Sequence, residues 1–269
     1  MDLATIFGIL IGLLMVFLTI FHAEGLKGFA PFLNAEAVLI VMGGTFCALL
    51  VNYPLSQILG IFKVLKKVMS NHIVDTSEIV TTFVKFSKKA RTDGFLALQE
   101  EVKNTKDDFL KRGVQLVIDG ADKEFIQNMM ETEIGFIRER HKLGQEIFNS
   151  LGTYAPAFGI IGTILGMIMM MTSLDDVAQV PRRMALCLSA AFFGLASGYL
   201  LFLPMAGKLK RRSEEELLIK EIVIRGVLLL QTGAAPSLME SNLKAYLDPT
   251  TRNLIRTGTI AGDDKANAA

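Results

Sequence analysis

Four stretches of this chain run for the length of a membrane-crossing helix without one Asp, Glu, Lys, Arg or His: Leu3 to Phe21, Ala37 to Phe62 (a lysine follows at once), Ile147 to Leu174 and Met184 to Gly207. A helix needs roughly 20 apolar residues to cross the hydrocarbon core, and in lipid every backbone amide must find its partner inside its own segment. Tracts this long meet that demand as helices. Strands of a membrane barrel would be shorter and would alternate in polarity. The expected fold is therefore all-α, a polytopic membrane protein with four spanning helices.

Composition agrees: 51% of the residues are hydrophobic, 20% are charged, and the mean hydropathy is +0.42. The charges are segregated into the segments between and after the apolar tracts. This divides the chain into 1–62 (spans one and two with a short outer loop), 63–146 (a polar helical domain), 147–207 (spans three and four) and 208–269 (a helical extension and tail). Only Asp2 precedes the first tract, and no small-residue cleavage site closes it, so it is expected to be a retained helix rather than a signal peptide.

Lys and Arg near the span ends set the orientation. Lys63, Lys66 and Lys67 follow span two, Arg138, Arg140 and Lys142 precede span three, and Lys208, Lys210, Arg211 and Arg212 follow span four. That side is expected to be cytoplasmic, with both termini inside a bacterial inner membrane. Arg182 and Arg183, beside Asp175 and Asp176 in the last outer connection, oppose the rule but are outnumbered. The first outer connection, His22 to Glu36, contains Gly25, Gly28, Pro31 and Asn34 and reads as a turn-rich loop with room for one short interfacial helix.

In the long inner segment Thr76 or Ser77 can cap a helix whose apolar face is Ile79, Val80, Phe83, Val84 and Phe86 and whose basic face is Lys85, Lys88, Lys89 and Arg91. Gly94 breaks it. Phe109 to Ile118 forms a second amphipathic helix, stopped by Gly120, and Asp122 to Leu143 a third, with Phe125, Ile126, Met129, Met130, Ile134 and Ile137 at helical spacing and continuous with span three. Span four is expected to run on to Leu230, with Gly233 as its stop, a last helix from Ser237 to Tyr246 and a disordered tail beyond Pro249. The formal net charge of +1 gives no reason to expect nucleic acid.

Small residues recur four apart in the spans, at Gly8 and Gly12, Gly44 and Ala48, Gly162 and Gly166, and Gly194 and Gly198, and imply close helix packing within and between subunits. Cys47 and Cys187 fall inside spans two and four and read as buried apolar thiols. His22, His72 and His141 are isolated, and no cluster has metal-ligand or nucleophile spacing, so an enzyme is not expected.

An acid or base that carries a transported ion within a membrane is normally ionisable, and the spans hold none. Any ion coupling must then borrow a carboxylate from another subunit, with this chain supplying the surroundings. Thr153, Tyr154, Thr163 and Ser189 are its polar candidates, although a lone span hydroxyl commonly bonds back to its own helix. Pro156 and Pro204 each delete a backbone hydrogen bond from a span and can make a pivot.

Gly152-Thr153-Tyr154-Ala155-Pro156-Ala157-Phe158-Gly159-Ile160-Ile161-Gly162-Thr163 resembles the third-span signature of flagellar stator subunits of the motility protein A family, including its sodium-type relative PomA. Phe202 to Leu209 is similar to that family's fourth-span exit, and Ala90 to Glu101 to its cytoplasmic rotor-contact motif. The opening Met1 to Thr5 and the ending Leu243 to Leu247 agree. The resemblance implies a pentameric ring around a dimer of a motility protein B partner, which supplies the missing aspartate and anchors to peptidoglycan, while the ring pushes the rotor protein FliG. It implies torque-coupling roles for Pro156 and Pro204, rotor contacts at Arg91, Glu100 and Glu101, and an ion pathway past Thr163, Tyr154, Ala190 and Ala191. Gln99 stands where the family is usually acidic. Thr163 matches sodium-type members, while Ala190 and Ala191 replace their threonines, so the transported ion is left between H+ and Na+ with a lean to protons. No cofactor is implied. The alternatives are an ExbB or TolQ type subunit, for which four spans are one too many, and a small-solute transporter, which would show repeats or midplane charges.

Overall fold

The computed structural model describes residues 3–60, 76–105 and 107–246. Lys63, Lys66, Lys67, His72, the opening Met1 and Asp2, the final Leu247 of the ending motif and the tail beyond Pro249 lie outside the described residues. The described residues contain helices and turns with no strand, and four helices are long and apolar enough to cross a membrane. In order these are α1 (Leu3–Glu24), α2 (Ala35–Asn52), α7 (Lys123–Met171) and α8 (Val180–Gln231). Shorter helices are α3 (Leu55–Leu59), α4 (Thr76–Asp93), α5 (Leu98–Asn104), α6 (Asp108–Ile118) and α9 (Pro236–Lys244).

The chain forms two compact units, one of Met1–Asn71 with Arg140–Arg212, the other of His72–Glu139 with Ser213–Ala269. Both α7 and α8 therefore contribute to each. The extension after span four, read from the sequence as a segment of its own, shares a unit with the helices that follow span two.

In the first unit, Gly25 adopts φ +63, a left-handed conformation that ends α1 and starts a 3-10 stretch, Gly25–Phe32. Asn34 caps α2 by accepting the Ala37 N–H at 3.2 Å. The uncharged second tract continues to Phe62, yet α2 stops at Asn52. Pro54 explains the difference: its ring disfavours helical backbone at the residue before it, and Tyr53 is extended at φ −129, ψ 142. Both α2 and α8 contain a wide π-helical turn, Leu39–Gly43 and Ala196–Phe202. Cys187 is buried as expected, but Cys47 is exposed, on a face of α2 away from its packing residues Val41, Thr45 and Leu49. At the other edge Glu36 pairs with both Arg182 (3.7 Å) and Arg183 (3.9 Å), which ties the start of α2 to the start of α8 and offsets the two arginines that run against the charge rule.

In the second unit the core draws Ile79, Val80, Phe83 and Phe86 from α4, Leu98 and Val102 from α5, Phe109, Leu110, Val114 and Val117 from α6, Ile126, Met130 and Ile134 from α7, and Ile222, Val223 and Val227 from α8, closed by Met239 and Leu243 of α9. Phe125 and Met129, counted with the apolar face of α7 from their spacing, are instead exposed, as is Phe136. Gly113 and Gly226 permit the tightest approaches: a methyl built on Gly226 would lie 2.6 Å from the Phe83 ring. Asp107 caps α6 by accepting from the Phe109 and Leu110 amides, and the same carboxylate receives Lys220 at 2.9 Å. Arg112 of α6 grips Glu133 of α7, donating from Nε at 3.1 Å, and this hydrogen bond raises the Arg112 pKa. Gly120 (φ +78) ends α6.

Candidate functional site

The structure brings α7 and α8 together through glycine. A Cβ added to Gly159 would stand 3.0 Å from the Ala190 carbonyl oxygen, and one added to Gly162 would stand 2.6 Å from the Ala190 Cβ. One on Gly166 would meet the Cys187 sulfur at 2.6 Å. From the other side, Gly194 faces the Ala155 carbonyl at 2.7 Å. The four-residue spacings that suggested packing within and between subunits are thus used, at Gly162, Gly166, Gly194 and Gly198, within one chain. Gly12 meets Leu200 of α8 and Gly44 meets the Phe158 ring of α7, while Gly8 faces open space.

Pro156 lies inside α7, which continues through it. Having no N–H, it leaves the carbonyl of Gly152 without the usual donor four residues on. Opposite is the wide turn of α8. A Cβ on Gly198 would lie 2.7 Å from the Pro156 Cγ and 2.9 Å from the Gly152 oxygen, and Leu203 covers Gly152 itself. The turn is closed by the Leu203 N–H donating to the Gly198 carbonyl, five residues back. Pro204 follows directly and is exposed. The two prolines thus flank one feature, the wide turn, with Pro156 packed against it and Pro204 at its end.

The hydroxyl of Thr163 is directed to the Gly159 carbonyl of its own helix at 2.9 Å and to the Cys187 carbonyl of α8 at 3.3 Å. Ala190 is fully buried beside Gly162, in a cluster with Ala37, Val41 and Leu186, and Ala191 is half-buried. Tyr154 is turned elsewhere: its hydroxyl accepts from Asn52 Nδ2 of α2 at 3.1 Å, next to the Tyr53–Ser150 hydroxyl contact of 3.0 Å. Thr163, Ala190 and Ala191 therefore share the α7–α8 crossing, and Tyr154 does not join them. Thr153 bonds back to Asn149, and Ser189 donates to the Pro31 carbonyl at 2.8 Å.

In the second unit the stretch from Ala90 to Glu101 forms the turn from α4 to α5. Gly94 at φ +80 reverses the chain into the 3-10 turn Phe95–Ala97, with Leu98 buried beneath it. Arg91 and Glu100 are exposed on either side, and neither pairs with a described residue. Glu101 is bound to Lys89 at 3.0 Å. Leu96, between them, is 75% exposed.

The sequence reading missed the wide turn and the role of Gly198. Glycine spacing marked Gly198 as a packing position without showing its partner, and a π-helical turn leaves no pattern in the residues beyond a proline nearby.

A sequence profile described as the MotA/TolQ/ExbB proton channel family matches residues 101–222. The chain is 37% identical over 261 residues to motility protein A of Treponema phagedenis, covering 97% of this chain and 99% of that one. It is 34% identical to motility protein A of Bacillus subtilis, over 90% of this chain and 91% of the other. Its fold is similar to that of a chain in the flagellar MotAB stator complex of Bacillus subtilis, with a TM-score of 0.81 and 32% identity, covering 90% of this chain and 96% of that one.

Proposed function

This chain belongs to the motility protein A branch of the MotA/TolQ/ExbB proton channel family, and on that premise we propose that it is the ion-driven, torque-generating subunit of a flagellar motor stator. The observation that carries the reading is the combination of a channel family with apolar tracts that hold no Asp, Glu, Lys, Arg or His. A MotB-type partner supplies the carboxylate that takes up the ion and the anchor to peptidoglycan. Several copies of this chain, five by the family resemblance, surround it in the inner membrane with both termini cytoplasmic.

An elementary charge crossing the membrane yields about 2.3 kcal/mol per 100 mV, enough to drive a low-barrier movement of packed helices. The wide turn of α8 and the interrupted helix at Pro156 are where such movement costs least, because each already departs from regular helical bonding. The turn carrying Arg91, Glu100 and Glu101 transmits the movement to FliG. Protons are the favoured ion, because Ala190 and Ala191, beside Thr163 at the α7–α8 crossing, offer no side-chain oxygen to a dehydrated sodium ion.

The test is deletion of the gene followed by complementation. Wild-type chain restores swimming, and Pro156→Leu restores assembly with the partner but not swimming. Normal swimming with Pro156→Leu removes the coupling role, and normal swimming of the deletion strain removes the function.

A further inference from the structure

The α7–α8 crossing has two glycines on α8, and they do different things. Gly194 meets backbone of α7 where that helix is regular, whereas Gly198 meets it where Pro156 has broken the hydrogen-bond ladder. An added methyl at Gly198 would lie 2.7 Å from Cγ and 2.8 Å from Cδ of the proline, and 2.9 Å from the Gly152 oxygen. None of these is the movable end of a long side chain. A rigid ring and a main-chain carbonyl bound the position.

Gly198 is also the acceptor that closes the wide turn, through the Leu203 N–H. In a regular helix that N–H would reach Tyr199. The five-residue closure inserts one residue into the register of α8, with Leu203 packed on Gly152 and Gly198 on Pro156. The Gly152 carbonyl, deprived by Pro156 of its usual donor, faces Gly198 so closely that an added methyl would stand 2.9 Å from it.

We propose that Gly198 is a positioning residue for Pro156: facing the proline ring with no room for a methyl between them, and with its carbonyl closing the wide turn, it passes movement at the proline to the part of α8 that begins at Leu203. The consequence for torque rests on the stator reading above; the contact between the two residues does not.

Two measurements test it. The first is thermal unfolding of the full-length chain purified with its partner, in four forms: wild type, Gly198→Ala, Pro156→Ala and the double variant. The added methyl should lower Tm in the wild-type background and do so much less once the ring is gone. Equal losses in both backgrounds overturn the proposal, and so does a Gly198→Ala chain that fails to accumulate with or without Pro156. The second is motor speed resolved into increments as single stator units join. Gly198→Ala should leave the number of units normal and cut the increment by at least about twofold, as overpacking against rigid groups demands, while Gly135→Ala, at a glycine with open space around it, changes neither. A normal increment overturns the role in coupling. If deletion of the gene leaves swimming intact, the stator reading fails while the Tm comparison still decides the contact.

Discussion

Gly194 lies so near Gly159 that a methyl group built on it would stand 2.8 Å from the Gly159 Cα and 2.7 Å from the Ala155 carbonyl oxygen. Two helices that meet backbone to backbone have no side chain that can yield. Gly194→Ala should therefore destabilise the purified protein by about 1–3 kcal/mol, the range for overpacking a filled contact. Gly8→Ala, at a glycine with nothing within 4 Å, should not. Equal Tm values for the two variants would show that the crossing is looser than described.

Asp107 carries two loads, the cap of α6 and the charge of Lys220, which also lies 5.0 Å over the Phe109 ring. Asp107→Ala removes both and leaves a mostly buried ammonium without its carboxylate. The expected loss is about 2 kcal/mol or more, since an N-cap alone is worth about 1. Asp107→Asn, which keeps a capping oxygen, should lose less. Thermal unfolding compares the two, and an equal loss would mean that the cap contributes nothing.

Arg91 and Glu100 face solvent, whereas Glu101 is engaged by Lys89. Charge reversal at Arg91 or Glu100 should slow or stop swimming. Glu101→Gln should be close to wild type, because it breaks only an exposed pair worth about 0–1 kcal/mol. Swimming speed in soft agar and in tethered cells reads the order. A stronger defect at Glu101 than at Arg91 would move the rotor contact to the other side of the turn.

The Thr163 hydroxyl holds α7 to α8 through the Cys187 carbonyl. With alanines at 190 and 191 leaving Thr163 as a lone side-chain oxygen there, motor speed at fixed membrane potential should not vary with external sodium, and Thr163→Val should be no different in this respect. Speed that rises with sodium in the wild type and not in the variant would make the threonine an ion ligand.

Much of this architecture is written in the sequence because lipid imposes it. Uncharged tracts of spanning length have one stable form, and the helix ends of the second unit follow from Gly94, Gly120 and Gly233, whereas the capping Asp107 was seen only in the fold. The ends of elements were less legible: Pro54 cuts α2 short within an unbroken apolar tract. Partners were not legible at all. Spacing marked Gly194, Gly198 and Pro156 separately, and only the folded chain sets the last two in contact. Phe125 and Met129 have core spacing yet lie outside the core, since the narrower face of α7 with Ile126, Met130 and Ile134 is the one that its neighbours cover. That Glu101 pairs with Lys89 was not legible, because the pairing depends on a turn between them.

The account turns on a missing acid, and ion flux measures it directly. In liposomes under an imposed potential, this chain with a partner that carries an intramembrane aspartate should conduct, and the same pair with that aspartate changed to asparagine should not. The chain by itself should be silent. Flux from this chain alone, across apolar tracts that hold no carboxylate, would contradict the account.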